Sequence, residues 1–221
     1  MGTILYYFYW LIIWLPCHIF FPARVINKKN MPKKGAILSC NHFAGIDPIF
    51  IGIYTVRKMH FFAKKELAKN WFLRVMAPAV GSIFVERGKA DIGAVKKTLK
   101  VLNDDKVLMI FPEGSRNKDN EEMLELKAGA VTFSVKTDTN ITPVIMWRRP
   151  KAFRKNFIYY GKPFGFSQYT GVKMTHEDKR EATIFLTQKM AETQEELRAY
   201  LLKKRPKLVA RYERKRMTNN E

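Results

Sequence analysis

Cysteine is scarce in this 221-residue chain: only Cys17 and Cys40 are present, one in an apolar segment and one in a run of strand length. Neither has metal-ligand spacing around it, so disulfide scaffolds and zinc modules are excluded, and both read as reduced core residues of a cytosol-facing protein. Acidic residues are few as well, 20 Asp and Glu against 40 Lys and Arg, which leaves a formal charge of +20. Such a surplus calls for an anionic partner: nucleic acid, an acidic membrane surface, or an acidic protein or substrate. Between Gly2 and Ala23 formal charge is missing altogether. Internal repeats and low-complexity linkers are also lacking, so the length fits one domain with small appendages.

The charge-free stretch is dense in Tyr, Trp and Phe, side chains that settle at headgroup depth. It has no basic n-region and no small-residue cleavage site, which argues against a signal peptide. Pro16 interrupts it and its tyrosines are scattered. The favoured reading is a membrane element lying in one leaflet, with a single span as the alternative and a core helix as the bland reading. The chain then divides into a membrane-associated segment over residues 1–23, a domain over 24–202 and a basic tail over 203–221. The tail carries eight basic residues and one acidic between Lys203 and Arg216, the composition of a surface-binding or flexible segment.

Within the domain, Ala36 to Cys40 reads as a short buried strand and Pro48 to about Arg57 as a mostly apolar helix, so Asn41 to Asp47 is the turn between them. Arg24 to Lys34 reads as a basic, turn-rich connector. His60 to Ala63, Gly81 to Val85, Val107 to Phe111, Ile141 to Trp147 and Phe157 to Tyr160 follow as strands. Trp71 to Val80, Asp91 to Asn103 and Lys127 to Lys136 read as helices, and Thr175-His-Glu-Asp178 has the capping-box form that opens a long helix towards Leu202. His176 is there a solvated first-turn residue. Strands alternating with helices predict an α/β domain with a mixed, mostly parallel sheet, whose sites form in the loops at strand ends.

One such loop holds both His42 and Asp47. Five apart on a regular helix, the two would point roughly 140° away from each other. Pro48 instead places Asp47 at the helix start as an N-cap, and the loop before a cap can fold back so that the two side chains hydrogen-bond. A carboxylate on one ring nitrogen fixes the tautomer and makes the other nitrogen a general base. The bland alternative, a cap beside a structural histidine, fits these residues equally. Other strand exits carry cations suited to phosphate: Lys64 with Lys65, Arg87, and Arg116. Arg87 reads equally as paired with Glu86 or Glu113, or as solvated. Glu113 and Gly114 stand in the same exit loop as Arg116, and the glycine lets the backbone come close to a ligand.

Asn41-His-Phe-Ala-Gly-Ile-Asp47, Gly81-Ser-Ile-Phe-Val-Glu-Arg87, Phe111-Pro-Glu-Gly-Ser-Arg116 and Ile141-Thr-Pro-Val-Ile-Met146 occur in this order. Together they resemble the four motifs of the glycerolipid acyltransferases, a family that includes the 1-acyl-glycerol-3-phosphate acyltransferases. The resemblance covers about residues 30 to 165 and implies that 24–202 is an acyltransferase domain. It implies transfer of a fatty acyl group from an acyl-CoA or acyl carrier protein thioester to the sn-2 hydroxyl of lysophosphatidic acid. His42 would be the base, oriented by Asp47. Arg87 and Arg116 would hold the phosphate with Lys64 nearby, Glu113, Gly114 and Ser115 would shape the glycerol site, and Pro143 would lie on the acyl side. Ser115 stands where the family commonly has threonine, and the N-terminal segment is shorter than the two-helix anchor of some relatives.

No cofactor, metal or covalent enzyme intermediate is implied. The implied partners are anionic membrane lipids, the lysophospholipid and the thioester carrier, on the cytoplasmic face of the cell membrane, with no nucleic acid. Other acceptors, glycerol 3-phosphate or a different lysophospholipid, share the same motifs. A non-enzymatic basic membrane- or nucleic-acid-binding protein would give no reason for four ordered motifs.

Overall fold

The computed structural model describes residues 2–55, 57–71, 81–86, 91–117 and 123–217. Seven strands form one sheet: β1 (Ala23–Ile26), β2 (Ala36–Cys40), β3 (Met59–Lys64), β4 (Ser82–Val85), β5 (Val107–Ile110), β6 (Ile141–Met146) and β7 (Asn156–Tyr160). Their order is β1-β7-β6-β2-β5-β3-β4. Every neighbouring pair is parallel except β6 with β7, so β2 to β6 run one way and the edge pair β1 and β7 the other. The carboxyl ends of β2, β3, β4, β5 and β6 therefore share one edge, the place where open α/β sheets build sites.

Alternation along the strands supplies two apolar layers. Ile37, Leu108, Ile141 and Ile145 face one side, with α3 (Ile92–Asn103), α4 (Gly129–Thr137), α5 (His176–Lys204) and α6 (Pro206–Met217) contributing to that layer. Leu38, Cys40, Val107, Met109 and Val144 face the other, under α1 (Gly2–Phe20) and α2 (Asp47–Thr55). Cys17 and Cys40 are both buried and free. Thr175 and Asp178 make the reciprocal capping box that the sequence predicts for α5.

Several elements differ from the sequence reading. The connector after α1 contains β1, an edge strand too short to stand out by pattern. Helix α1 runs through Pro16 to Phe20 instead of breaking there. Trp10, Ile13, Trp14, Cys17 and Phe21 hold it against the sheet layer at helical spacing, which outweighs one lost backbone bond. His18 is stacked between Trp14 and Tyr54, with centroids 4.3 and 4.5 Å away, and the Tyr54 hydroxyl donates to the Phe21 carbonyl. Thus α1 is riveted to α2. Its opposite stripe, Ile4, Phe8, Leu11, Ile12, Leu15 and Ile19, is exposed. No helix among the described residues is long and apolar enough to cross a membrane.

The basic tail is ordered as a helix over most of its length. Val209 is fully buried, and Glu213 accepts two bonds from the Arg198 guanidinium of α5, so a segment with few apolar residues still docks. The helix expected over Trp71 to Val80 lies, after Trp71, outside the described residues.

His60 on β3 sits largely buried, and its Nε2 has no hydrogen-bond partner among the described residues. Burial first, then Lys58 and Lys106, pushes its pKa down from 6.5 to about 4. Between those two values the unfolded chain binds a proton that the fold refuses, so stability present above pH 6.5 is lost as the pH falls. The loss reaches about 3 kcal/mol at pH 4. Urea unfolding of wild type and His60→Phe at neutral pH and near pH 4 checks this: the variant is expected to lose about 3 kcal/mol less. Equal losses would contradict it.

Candidate active site

The loop from Asn41 to Ile46 leaves β2 at the shared edge and turns into α2. Its donors converge on one oxygen: Asp47 Oδ2 accepts from the Phe43 N–H (2.6 Å), the Ala44 N–H (2.7 Å) and His42 Nδ1 (2.9 Å). A carboxylate oxygen can only accept, so Nδ1 carries the proton, and in the neutral ring Nε2 is left bare. Asp47 is fully buried while the His42 side chain keeps 14 % of its surface exposed, so the pair is braced from inside and reachable from the cleft. Asp47 was expected to cap α2. It is instead the first residue of the helix, and its side chain turns back to serve the loop, where closely spaced N–H groups need an acceptor.

A second exit loop, after β5, clasps the first. The Glu113 carboxylate accepts from the His42 N–H at 3.0 Å and from the Leu124 N–H at 3.4 Å. The Asn117 N–H donates to the His42 carbonyl at 2.7 Å. Glu113 is 4 % exposed, and burial pushes its carboxyl above the usual range while the His42 and Leu124 N–H groups pull it back. Glu113 thus positions the histidine backbone. Phe111 stacks on the imidazole, centroids 4.1 Å apart at 27°, which fixes the ring plane.

Gly114 has φ +66°, in the left-handed region, and a Cβ there would lie 2.9 Å from both Cε and Nζ of Lys127. A side chain at 114 would strain the backbone and push the end of that lysine aside. Lys127 was expected within a helix, but α4 starts two residues later, and the Lys127 N–H instead bonds the Pro112 carbonyl at 2.9 Å. Its placement beside the motif was missed in the sequence, where the signal would have been a lysine shortly after the exit loop.

His42, Gly114, Ser115, Arg116, Lys64 and Lys127 line one cleft of about 900 Å³, with Phe61, Phe62, Phe111 and Phe133 among its apolar walls. Three cations and a histidine, with the carboxylates of Glu86 and Asp91 also on the lining, in a groove with aromatic walls suit an anionic head joined to an apolar chain. Arg87 lies outside the described residues. Pro143 does not line this cleft: it is buried in β6 beside Ser39 of β2, with its carbonyl accepting from Gly161. Asn41, unremarked in the sequence, clasps Met146 of β6 through its side chain, Nδ2 donating to the carbonyl and Oδ1 accepting from the N–H, both at 2.9 Å.

A family model described as Acyltransferase matches residues 22–147. The 1-acyl-sn-glycerol-3-phosphate acyltransferase of Borreliella burgdorferi is 34 % identical over 139 residues, covering 61 % of this chain and 55 % of its own. The Bacillus subtilis protein of the same name is 30 % identical over 114 residues, 51 % of this chain and 56 % of its own. The chain therefore spans little more than half the length of these relatives. The crystal structure of the 1-acyl-sn-glycerophosphate acyltransferase of Thermotoga maritima superposes with a TM-score of 0.58 at 26 % identity, over 80 % of this chain and 72 % of that one. With the family match spanning more than half of the residues and taking in the His42, Glu113 and Arg116 loops, the chain belongs to the acyltransferase family.

Proposed function

We propose that this protein transfers a fatty acyl group from an acyl thioester to the sn-2 hydroxyl of lysophosphatidic acid, giving phosphatidic acid. The observation that carries the reading is the bare Nε2 implied by the His42 to Asp47 bond, in a cleft shared with Lys64, Arg116 and Lys127. The names of the relatives support the choice of acceptor.

The acceptor's phosphate lies among the three cations, joined by Arg87 where the family motif has it, and its hydroxyl faces His42. Nε2 takes the hydroxyl proton as the oxygen attacks the thioester carbonyl, and Asp47 stabilises the imidazolium that results. The tetrahedral intermediate collapses by breaking the C–S bond, and the imidazolium returns its proton to the departing thiolate. Thiolate is a good leaving group, so orientation and one base supply most of the barrier lowering. Arg116 and Ser115 are exposed at the mouth, where an acceptor can enter from a lipid surface. The exposed apolar stripe of α1 supports a position in one leaflet, and the charge of +20 supports the anionic cytoplasmic face, where an acidic acyl carrier protein or coenzyme A thioester is also attracted.

Purified protein given lysophosphatidic acid or glycerol 3-phosphate, each with acyl carrier protein and coenzyme A thioesters, tests the reading. Phosphatidic acid is the expected product. Product formed only from glycerol 3-phosphate would overturn it.

A further inference from the structure

The hairpin between β6 and β7 leaves the sheet at the active-site edge, yet the proposed chemistry does not use it. Residues 147–155 read Trp-Arg-Arg-Pro-Lys-Ala-Phe-Arg-Lys, five basic residues and no acidic one. Phe153 is 70 % exposed and has φ 56°, a left-handed conformation that bulky residues rarely adopt. An apolar ring displayed to solvent on an unfavourable backbone is disfavoured on both counts, and such outliers cluster where function requires them. The Phe153 N–H donates to the Phe20 carbonyl at 2.6 Å, and the two rings meet edge-on at 5.2 Å. Phe20 ends α1, so the hairpin tip continues the exposed apolar stripe of that helix.

Cations stand beside this aromatic pair. Arg148 is half-buried, and burial holds its guanidinium below the usual range; Tyr212 opposes this, and Arg154 and Arg211 each add a smaller lowering effect. Among the described residues, no carboxylate acts on Arg148. The Trp147 and Tyr212 rings, 5.2 Å apart, bring α6 and its Arg211 to the hairpin. Three guanidinium groups gathered at one hairpin suit an anion, and the adjoining apolar rings suit a lipid surface.

We propose that this hairpin is a second membrane-docking element, in which Phe20 and Phe153 enter the headgroup boundary while Arg148, Arg154 and Arg211 bind phosphates of anionic lipids. The proposal deepens, and rests on, the membrane position inferred for α1. Its consequence is orientation. Met146, directly before the hairpin, is clasped by Asn41, directly before His42, so the lipid contact and the catalytic loop are held in register. With α1 alone the protein could roll about the helix axis. A second contact across the edge turns the cleft towards the leaflet that holds the acceptor.

The test uses the full chain and vesicles of phosphatidylcholine, alone or mixed with phosphatidylglycerol, at low salt. R154Q/R211Q, at two exposed positions, is expected to lower partition onto the anionic vesicles about 25-fold, each charge near the surface being about fivefold, and to leave the neutral ones unchanged. F153N removes the ring with a residue that tolerates left-handed backbone, and is expected to lower partition about tenfold on both. Turnover of lysophosphatidic acid presented in vesicles falls in parallel, while turnover of a dispersed short-chain lysophosphatidic acid stays at the wild-type rate. If wild type turns over no lysophosphatidic acid but partition changes as stated, the docking proposal stands and the acceptor assignment fails. Unchanged partition in both variants overturns the docking proposal, as does loss of binding to a single-stranded oligonucleotide in R154Q/R211Q with vesicle partition retained.

Discussion

His42→Ala is expected to lower kcat on lysophosphatidic acid by about a thousandfold, within the usual range for loss of a positioned general base. KM should change little, because Lys64, Arg116 and Lys127 remain in the cleft to hold the phosphate. Stability should fall by about 1–2 kcal/mol, since only the bond to Asp47 and the stack on Phe111 are lost. Vesicle partition should be unaffected, as the residue lies off the apolar stripe and the hairpin. Steady-state kinetics with circular dichroism separates these effects. A variant retaining a tenth of the wild-type rate would mean that another group takes the proton.

Asp47→Asn is expected to fail in two ways at once. Three N–H donors meet at Oδ2, and an amide offers them either a neutral oxygen or an NH₂ group that confronts them. If the oxygen stays in place, the imidazolium loses its counter-charge. If the amide turns over, the His42 tautomer is no longer held and the loop loses its acceptor. Bonds to a charged acceptor are the stronger kind, so a loss of about 2 kcal/mol is expected, with a fall in melting temperature of about 6 °C for a chain of this size. kcat should fall by about two to three orders of magnitude. Thermal melts and kinetics on the same preparation check both parts, and wild-type values for either would contradict the arrangement.

What was legible in the sequence was whatever is written in short stretches. The buried strands show as continuous apolar runs and the start of α5 as Thr175 with Asp178; α3 shows as a helix, but the face read from Ile92, Val95, Leu99 and Leu102 is not the buried one, since Ile92 and Val95 are exposed and Ala94, Thr98 and Leu102 pack inward. The His42 to Asp47 contact was legible because Pro48 rules out a helix through both residues. The rest depends on contacts between distant parts of the chain. Asn41 and Met146 are 105 residues apart, and nothing local marks either as a clasp. Lys127 reaches the cleft only because its backbone pairs with Pro112 and Gly114 leaves room. Pro143 matches a motif, but its strand lies on the far side of β2 from β5, and it is not among the residues lining the His42 cleft. The basic tail reads as a surface-binding or flexible segment because a single buried valine and one Arg198 to Glu213 pair, which are enough to dock its helix, leave no periodic apolar pattern.

The charge surplus takes on a definite shape in the fold. Lys64, Arg116 and Lys127 line the cleft, and Arg148, Arg154 and Arg211 gather at the hairpin on the same edge of the sheet. Cations thus concentrate on the edge of the sheet where the proposed acceptor site and the proposed docking hairpin both lie. The rivet of His18 between Trp14 and Tyr54 ties α1 to the helix that begins with Asp47, so the apolar stripe and the His42 to Asp47 pair are linked through α2.

The protonation state of one ring bears the whole account. Nitrogen-15 NMR of protein labelled at its four histidines, with the His42 signals assigned by their loss in H42A, reads it directly. In the neutral imidazole the account predicts a proton on Nδ1 and none on Nε2. A proton found on Nε2, with Nδ1 bare, would contradict it.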